Sequence, residues 1–128
     1  MQDSTKAGGA PAGSSTGPAA MLGIVHRALV EGMPRGDRQE VRVITATLKP
    51  GDRTPRHTHR FPVAVYVMQG TFTLEREGRD PVTAKVGEAM IEPPHVKMTG
   101  LNPSATEPTQ LAMVYVSDPD TPFADLAP

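Results

Sequence analysis

Two of the four histidines in the chain, His57 and His59, stand two residues apart, shortly after Gly51 and before an apolar run that ends at Gly70. Side chains two apart on an extended strand point to the same face of a sheet. Both imidazoles can therefore be aimed at one point, as a metal ion requires of its first two ligands. The alternative is a surface loop that carries two histidines. The β-branched residues that follow and the flanking glycines favour the metal site.

Composition limits the classes of function. The chain has 128 residues, a net charge of −1 and no cysteine. The length predicts one domain, and the absence of a basic excess argues against nucleic acid as the main partner. Without cysteine there is no disulfide framework, no zinc–thiolate site and no thiol nucleophile. The compartment stays open, either the bacterial cytoplasm or, if a leader precedes this sequence, the periplasm.

The amino-terminal part of the chain differs in composition from the rest. Residues 1–22 are rich in Gly, Ala, Ser and Pro, with almost no large apolar side chain before Met21. Such a segment buries too little surface to offset its ordering entropy, which predicts a disordered tail. It lacks the basic start and apolar centre of a secretory signal, and residues 21–30 are too polar for a membrane span. Residues 23–128 are predicted to form the folded domain.

The remaining chain reads as an all-β domain. Fourteen prolines and twelve glycines fall largely between short apolar, β-branched runs, with no long period of 3.6 residues, which favours a sandwich or barrel over a helical fold. The predicted strands cover residues 23–30, 41–48, 63–68, 71–75, 82–86, 89–91 and 110–116.

Two groups of residues share a spacing with a known family. The first group is Gly51, His57, His59, Val63 and Gly70. This series resembles the first motif of the cupin superfamily, in which glycine is followed by His-x-His, a glutamate and a second glycine. Val63 stands where the motif has its glutamate.

The second group lies after a short intervening stretch. Gly87, Pro93, His95, Met98 and Asn102 follow the spacing of the second cupin motif, with His95 at a glycine position and Met98 at the histidine position. The resemblance spans about residues 24 to 120, and within it the sequence is similar to the small bacterial single-domain cupins. It implies a double-stranded β-helix, that is, a jelly-roll cupin barrel, one of the architectures that limit exposed sheet edges.

The resemblance implies a metal held by three histidines and one glutamate, of which only His57 and His59 are retained. Two residues are candidates for the third ligand. Met98 offers a thioether, which suits Cu(I), or it fills the barrel interior as an apolar plug. His95 either reaches the metal from its turn or is an exposed turn histidine. Glu92 is either a hydrogen-bond partner of a ligand histidine or an external turn residue.

These residues predict a small metalloprotein. The expected site holds one transition-metal ion (Fe, Mn, Zn, Ni or Cu) through His57 and His59, with His95 or Met98. If the protein is catalytic, the resemblance implies a dioxygenase, isomerase or lyase that acts on a small organic substrate. The alternative is a non-catalytic module that binds a small ligand or a metal, including copper, in a degenerate site. A homodimer is expected through the predicted strand at 23–30, and neither nucleic acid nor membrane is an expected partner.

Overall fold

The computed structural model describes residues 20–128 of the chain. This part contains nine β-strands and no helix. Within this range, accordingly, no helix could span a membrane. The predicted tail, residues 1–22, lies almost entirely outside the described residues. The strands are β1 (Glu40–Leu48), β2 (His57–Thr58), β3 (Val63–Gln69), β4 (Thr71–Arg76), β5 (Val82–Lys85), β6 (Ala89–Glu92), β7 (Met98–Leu101), β8 (Thr109–Ser117) and β9 (Asp125–Leu126).

The strands form two antiparallel sheets. The four-stranded sheet has the order β1-β8-β3-β6 and the five-stranded sheet the order β5-β4-β7-β2-β9. Side chains alternate between the two faces of a strand, and in β3 this alternation buries Val63, Val65 and Val67. The core contains these three residues together with Leu48, Phe72, Leu74, Ala84, Met90, Met98, Leu111, Met113 and Tyr115. The all-β prediction is confirmed.

Six of the predicted strands are present, and their ends agree to within one residue. The predicted strand at 23–30 is wrong: this segment pairs with neither sheet, and its side chains are exposed. A strand needs a partner for its backbone groups, and none of the nine described strands pairs with this segment. Strand β2 falls on the extended segment expected at His57 and His59, whereas strands β7 and β9 were not predicted. Gly100 interrupts the pattern of β7, and β9 is a two-residue strand defined by its pairing with β2.

Strand β2 lies between β7 and β9, and β6 forms one edge of the other sheet. In the register, His57 stands opposite Met98 on one side and Leu126 on the other. Across the sheet β3–β6, Val63 stands opposite Glu92. The two motif regions of the sequence therefore lie side by side, in strands that pair with each other within each of the two sheets.

Candidate metal centre

Three side chains that can bind a metal meet inside the barrel. Within residues 20–128, His57, His59 and Glu92 each offer one ligand atom, and these atoms lie within 4.8 Å of one another. His59 is 1% exposed and Glu92 4%, while His57 is half-buried. Buried polar side chains of this kind are rare without a partner or a function.

The carboxylate comes from a position that the sequence motif does not mark. Val63, where the resemblance expects a glutamate, is fully buried and points inward, but it carries no donor atom. Its partner across the antiparallel pair is Glu92, the last residue of β6. Directly opposed residues have Cβ atoms about 5 Å apart. The structure thus provides an acidic side chain one strand away from the expected place.

Backbone carbonyl groups fix the orientation of both imidazoles. Nδ1 of His59 lies 2.7 Å from the carbonyl oxygen of Phe123, and Nδ1 of His57 lies 2.7 Å from that of Pro55. A carbonyl oxygen only accepts, so each Nδ1 carries the proton and donates it. In the neutral imidazole, Nε2 then keeps its lone pair. Ligand histidines in metalloproteins are oriented in this way by a hydrogen bond at the other ring nitrogen.

The contact between His59 and Glu92 calls for a cation. Nε2 of His59 lies 3.0 Å from Oε1 of Glu92, but the contact does not have hydrogen-bond geometry, and the buried Nε2 has no other partner in the described part of the chain. An imidazole lone pair and a carboxylate oxygen repel each other at this distance unless a proton or a metal ion lies against both. Two nitrogens and one carboxylate are a donor set that suits Fe²⁺ or Zn²⁺.

A cavity of about 310 Å³ opens beside these three residues. Two charged residues on its wall are already paired, because Arg53 donates to Glu75 at 2.6 Å and Asp52 accepts from the amide of Lys49 at 3.0 Å. Gly100 leaves room for the Phe72 ring in this wall, since a Cβ at residue 100 would lie 2.7 Å from Cζ of Phe72. The remaining wall is mainly apolar and includes Ala46, Leu48, Phe72, Leu111, Met113 and Phe123.

The two candidates for a third ligand occupy different surroundings. His95 is exposed, with a backbone φ of 64°, and its amide donates to the carbonyl of His59 at 2.8 Å. The position therefore keeps the left-handed conformation that favours the glycine of the motif. Met98 is 1% exposed and packs in the core, opposite His57 in the register. His26, in the exposed segment before β1, is not part of the group of three.

Segment 121–128, which we call the strap, covers the outer edge of β2. Its strand β9 pairs with β2, and Arg60 donates to both carboxylate oxygens of Asp125 at 3.0 and 3.1 Å. This hydrogen-bonded pair lowers the pKa of the Asp125 carboxyl and raises that of the Arg60 guanidinium. The Phe123 ring packs 4.8 Å from the His59 ring and 5.3 Å from that of Tyr115, between centroids. The strap thus contributes both a wall and a hydrogen bond to the site.

Sequence reasoning identified His57 and His59 and considered Glu92 only as a partner of a ligand histidine or as a turn residue. One signal for Glu92 was available: it ends a short apolar strand and shares the parity of the buried Met90. That parity places the carboxylate on the inner face. The contribution of Phe123 left no sequence signal, because it is made by the backbone.

The family-model comparison identifies the class of protein. Residues 44–115, more than half of the chain, match the model described as Cupin domain. The chain belongs to the cupin family, and its two facing sheets are the double-stranded β-helix that the motifs predict. Both predictions, the superfamily and the fold, are confirmed.

Solved structures give the same fold at low sequence identity. An RmlC-like cupin family protein from Methanocaldococcus jannaschii is 21% identical, with a TM-score of 0.56 over 76% of this chain and 95% of that one. A double-stranded β-helix protein from Klebsiella pneumoniae is 19% identical, with a TM-score of 0.57 over 79% and 90%. An RmlC-like cupin from Shewanella frigidimarina is 21% identical, with a TM-score of 0.53 over 63% and 69%. The search of curated proteins returned no match.

Proposed function

We propose that the protein binds one divalent transition-metal ion through His57, His59 and Glu92. The observation that carries this proposal is the 3.0 Å approach of Nε2 of His59 to Oε1 of Glu92 without a hydrogen bond, in a buried place where both atoms need a positive partner. The carbonyl groups that hold both Nδ1 protons leave the two Nε2 atoms free for the ion.

The donor set limits the identity of the ion. Imidazole nitrogen and carboxylate oxygen suit Fe²⁺, Mn²⁺, Zn²⁺ and Ni²⁺, whereas Cu(I) prefers soft sulfur ligands. A copper site would require the thioether of Met98, which packs in the core beside β2. We therefore place Fe²⁺, Mn²⁺ and Zn²⁺ before copper and treat Met98 as a packing residue. His95 contacts His59 through its backbone and is exposed, so we leave it out of the proposed ligand set.

The cavity supports a reaction on a small organic molecule. A metal with three protein ligands retains open positions and can supply Lewis-acid or redox chemistry. The apolar wall formed by Phe72, Leu111 and Met113 suits an apolar body bound next to the histidines. Its volume of about 310 Å³ equals that of about ten water molecules in the liquid. We propose a metal-dependent dioxygenase, isomerase or lyase with a substrate of this size.

Metal analysis tests the site. The full chain, purified without a histidine tag, is expected to retain one equivalent of a transition metal or to take up one when titrated with Fe²⁺, Mn²⁺ or Zn²⁺. His59→Ala should lower the affinity by more than a hundredfold, because even the loss of an outer hydrogen bond costs about tenfold or more. His26→Ala is the matched control, since it removes an exposed imidazole outside the site. Equal affinities in the two variants would contradict the proposal.

We also propose a homodimer, formed through the outer face of the four-stranded sheet rather than by an added strand at 23–30. The outward row Val43, Val114, Ala64 and Ile91 crosses all four strands of the four-stranded sheet, as the register shows. This row, together with Val41, Val116, Ala112 and Tyr66, is called the outer apolar face. A contiguous apolar face of this kind is typical of an interface, and two-fold pairing is the commonest arrangement.

The area of this face bears on the kind of contact. Four strands about 4.8 Å apart and about five residues of about 3.4 Å each give roughly 320 Å² of flat sheet, below the about 800 Å² per partner of a stable interface. The segment before β1 carries further exposed aliphatic side chains, among them Ile24, Val25 and Leu29. The proposed second copy therefore has to contact this segment as well as the face.

A further inference from the structure

The His59 ring has a hydrogen-bond acceptor at one nitrogen and a carboxylate oxygen close to the other. The carbonyl of Phe123 lies 2.7 Å from Nδ1, and Oε1 of Glu92 lies 3.0 Å from Nε2. A neutral imidazole carries one proton, so it donates either to Phe123 or to Glu92. Donation to Glu92 would place the proton on the nitrogen that the metal needs and would engage the carboxylate as well. Donation to Phe123 leaves both ligand atoms free.

We infer that the strap, residues 121–128, is a positioning element of the proposed metal site, because its Phe123 carbonyl holds the His59 proton on Nδ1 and keeps Nε2 from donating to Glu92. The expected effect on metal affinity rests on the proposed function. The tautomer of His59 does not, because it is a property of the metal-free protein. Docking of the strap would then determine whether Nε2 of His59 is free to bind the metal.

The strap is held by contacts that lie outside the ligand cluster. The amide of Ala127 donates to the carbonyl of Arg56 at 2.9 Å, and Arg60 binds Asp125 through two hydrogen bonds. Both contacts join the strap to the chain that flanks the two histidines. An exposed ion pair contributes little by itself, so releasing the strap requires the loss of more than one contact.

His57 provides an internal control. Its Nδ1 donates to Pro55, two residues before it in the same loop, at 2.7 Å. This hydrogen bond involves no residue of the strap. Release of the strap frees the backbone of His57 from its pairing with Leu126 but leaves the local hydrogen bond of its ring to Pro55. We therefore expect the tautomer of His59 to change and that of His57 to stay the same. A general loosening of the fold would affect both rings.

Three variants release the strap in different ways. Deletion of residues 121–128 removes the Phe123 carbonyl. The double variant Asp125→Ala/Ala127→Pro removes the ion pair and the strap amide, and Arg60→Ala/Ala127→Pro does the same with the opposite change of charge. Agreement between the two double variants separates the docking of the strap from its electrostatic effect on the site. If the deletion variant does not fold, the two double variants carry the test.

The first readout is the imidazole tautomer, from long-range ¹H–¹⁵N spectra of the chelator-treated full chain at a pH where the rings are neutral. The expected result is the Nδ1–H form for both rings in the unchanged chain, and a shift of His59 alone towards the Nε2–H form in the variants. His59 remaining in the Nδ1–H form in every folded variant would overturn the inference.

The second readout is Zn²⁺ affinity, which should fall by about tenfold to a hundredfold on deletion of the strap, the usual cost of losing a hydrogen bond to a ligand histidine. A tautomer shift in a protein that binds no metal would contradict the proposed function and still support the role of the strap. An unchanged tautomer with intact Zn²⁺ binding would support the metal site and overturn the role of the strap.

Discussion

The barrel interior around His59 and the outer apolar face depart from the usual distribution of side chains in opposite senses. Inside, two histidines and a glutamate share a space that β-barrels of this size fill with apolar side chains. Outside, the row from Val43 to Ile91 presents four apolar residues in succession. A buried polar group and an exposed apolar face are each more informative than the expected pattern. The first supports the proposed metal site and the second the proposed dimer.

The exposed surface near the five-stranded sheet carries ion pairs instead of an apolar row. Arg53 pairs with Glu75, Arg56 with Glu77 and Arg60 with Asp125, at distances of 2.6, 2.9 and 3.0 Å. Such exposed ion pairs contribute little stability but keep a surface soluble. The central row of the outer apolar face, from Val43 to Ile91, contains no such ion pair. The contrast between the two surfaces therefore supports the proposed dimer contact on the four-stranded sheet.

The largest expected effect concerns the carboxylate inside the barrel. Glu92→Val should lower the affinity for Mn²⁺ or Fe²⁺ by more than a hundredfold, because it removes the only anionic ligand. Adding Val63→Glu to this variant moves the carboxylate one strand across, to the position that the cupin motif expects, and should recover affinity to within about tenfold. Titration of the two variants and the unchanged chain measures this. No recovery in the double variant would mean that residue 63 does not face the ion.

The next effect concerns the outer apolar face. Val43→Lys should convert a dimer into a monomer, because two-fold pairing brings each new charge into an apolar interface at a cost of a few kcal/mol. Val43 is 74% exposed in the single chain, so its own fold should tolerate the lysine. Thr83→Lys, on the outer face of the other sheet, is the control. Light scattering at micromolar concentration decides between the outcomes, and a monomeric unchanged chain would refute the dimer.

Met98 tests how far the polar cluster extends. Met98→Leu keeps the volume and removes the sulfur, so we expect a loss of stability below about 1.5 kcal/mol and a change in Zn²⁺ affinity below about threefold. Thermal unfolding and metal titration measure the two quantities. A selective loss of Cu(I) affinity in this variant would instead make Met98 a ligand and favour the copper module.

The smallest effect concerns His95. His95→Gly should raise stability by about 0.5 kcal/mol, because φ at this position is 64° and glycine adopts this region without steric cost. Metal affinity should stay the same, since the imidazole is exposed. A loss of affinity would show that the imidazole of His95 turns towards the ion, as the sequence allowed.

Most of the fold followed from local patterns. Alternating apolar residues between Gly and Pro identified six strands, because each carries its own two-residue period. The segment at 23–30 has a similar composition, yet it pairs with no other segment among residues 20–128. Strands β7 and β9 depend on pairing with β2 and β4 rather than on their own residues. Pairing partners distant in sequence are therefore what the single sequence did not reveal.

The residues of the site likewise fall into those that local spacing predicts and those that only the fold brings in. His57 and His59 were predicted because their spacing alone places them on one face. Glu92 joins them through the register that sets it opposite Val63, which no local pattern encodes. Phe123 joins through its backbone carbonyl, so its side-chain identity gives no indication of the contact. Ligands within one strand can be predicted from spacing, whereas ligands brought by a neighbouring strand require the fold.

The most direct test of the metal site is a titration with Co²⁺, followed by its visible absorption, of the full chain and of Glu92→Gln. The substitution keeps the shape of the side chain and removes its charge. The unchanged chain should bind one equivalent with a spectrum typical of mixed nitrogen and oxygen ligands, and Glu92→Gln should bind at least tenfold more weakly with an altered spectrum. Equal affinity and identical spectra in the two proteins, or no binding by either, would contradict the proposed His57, His59 and Glu92 site.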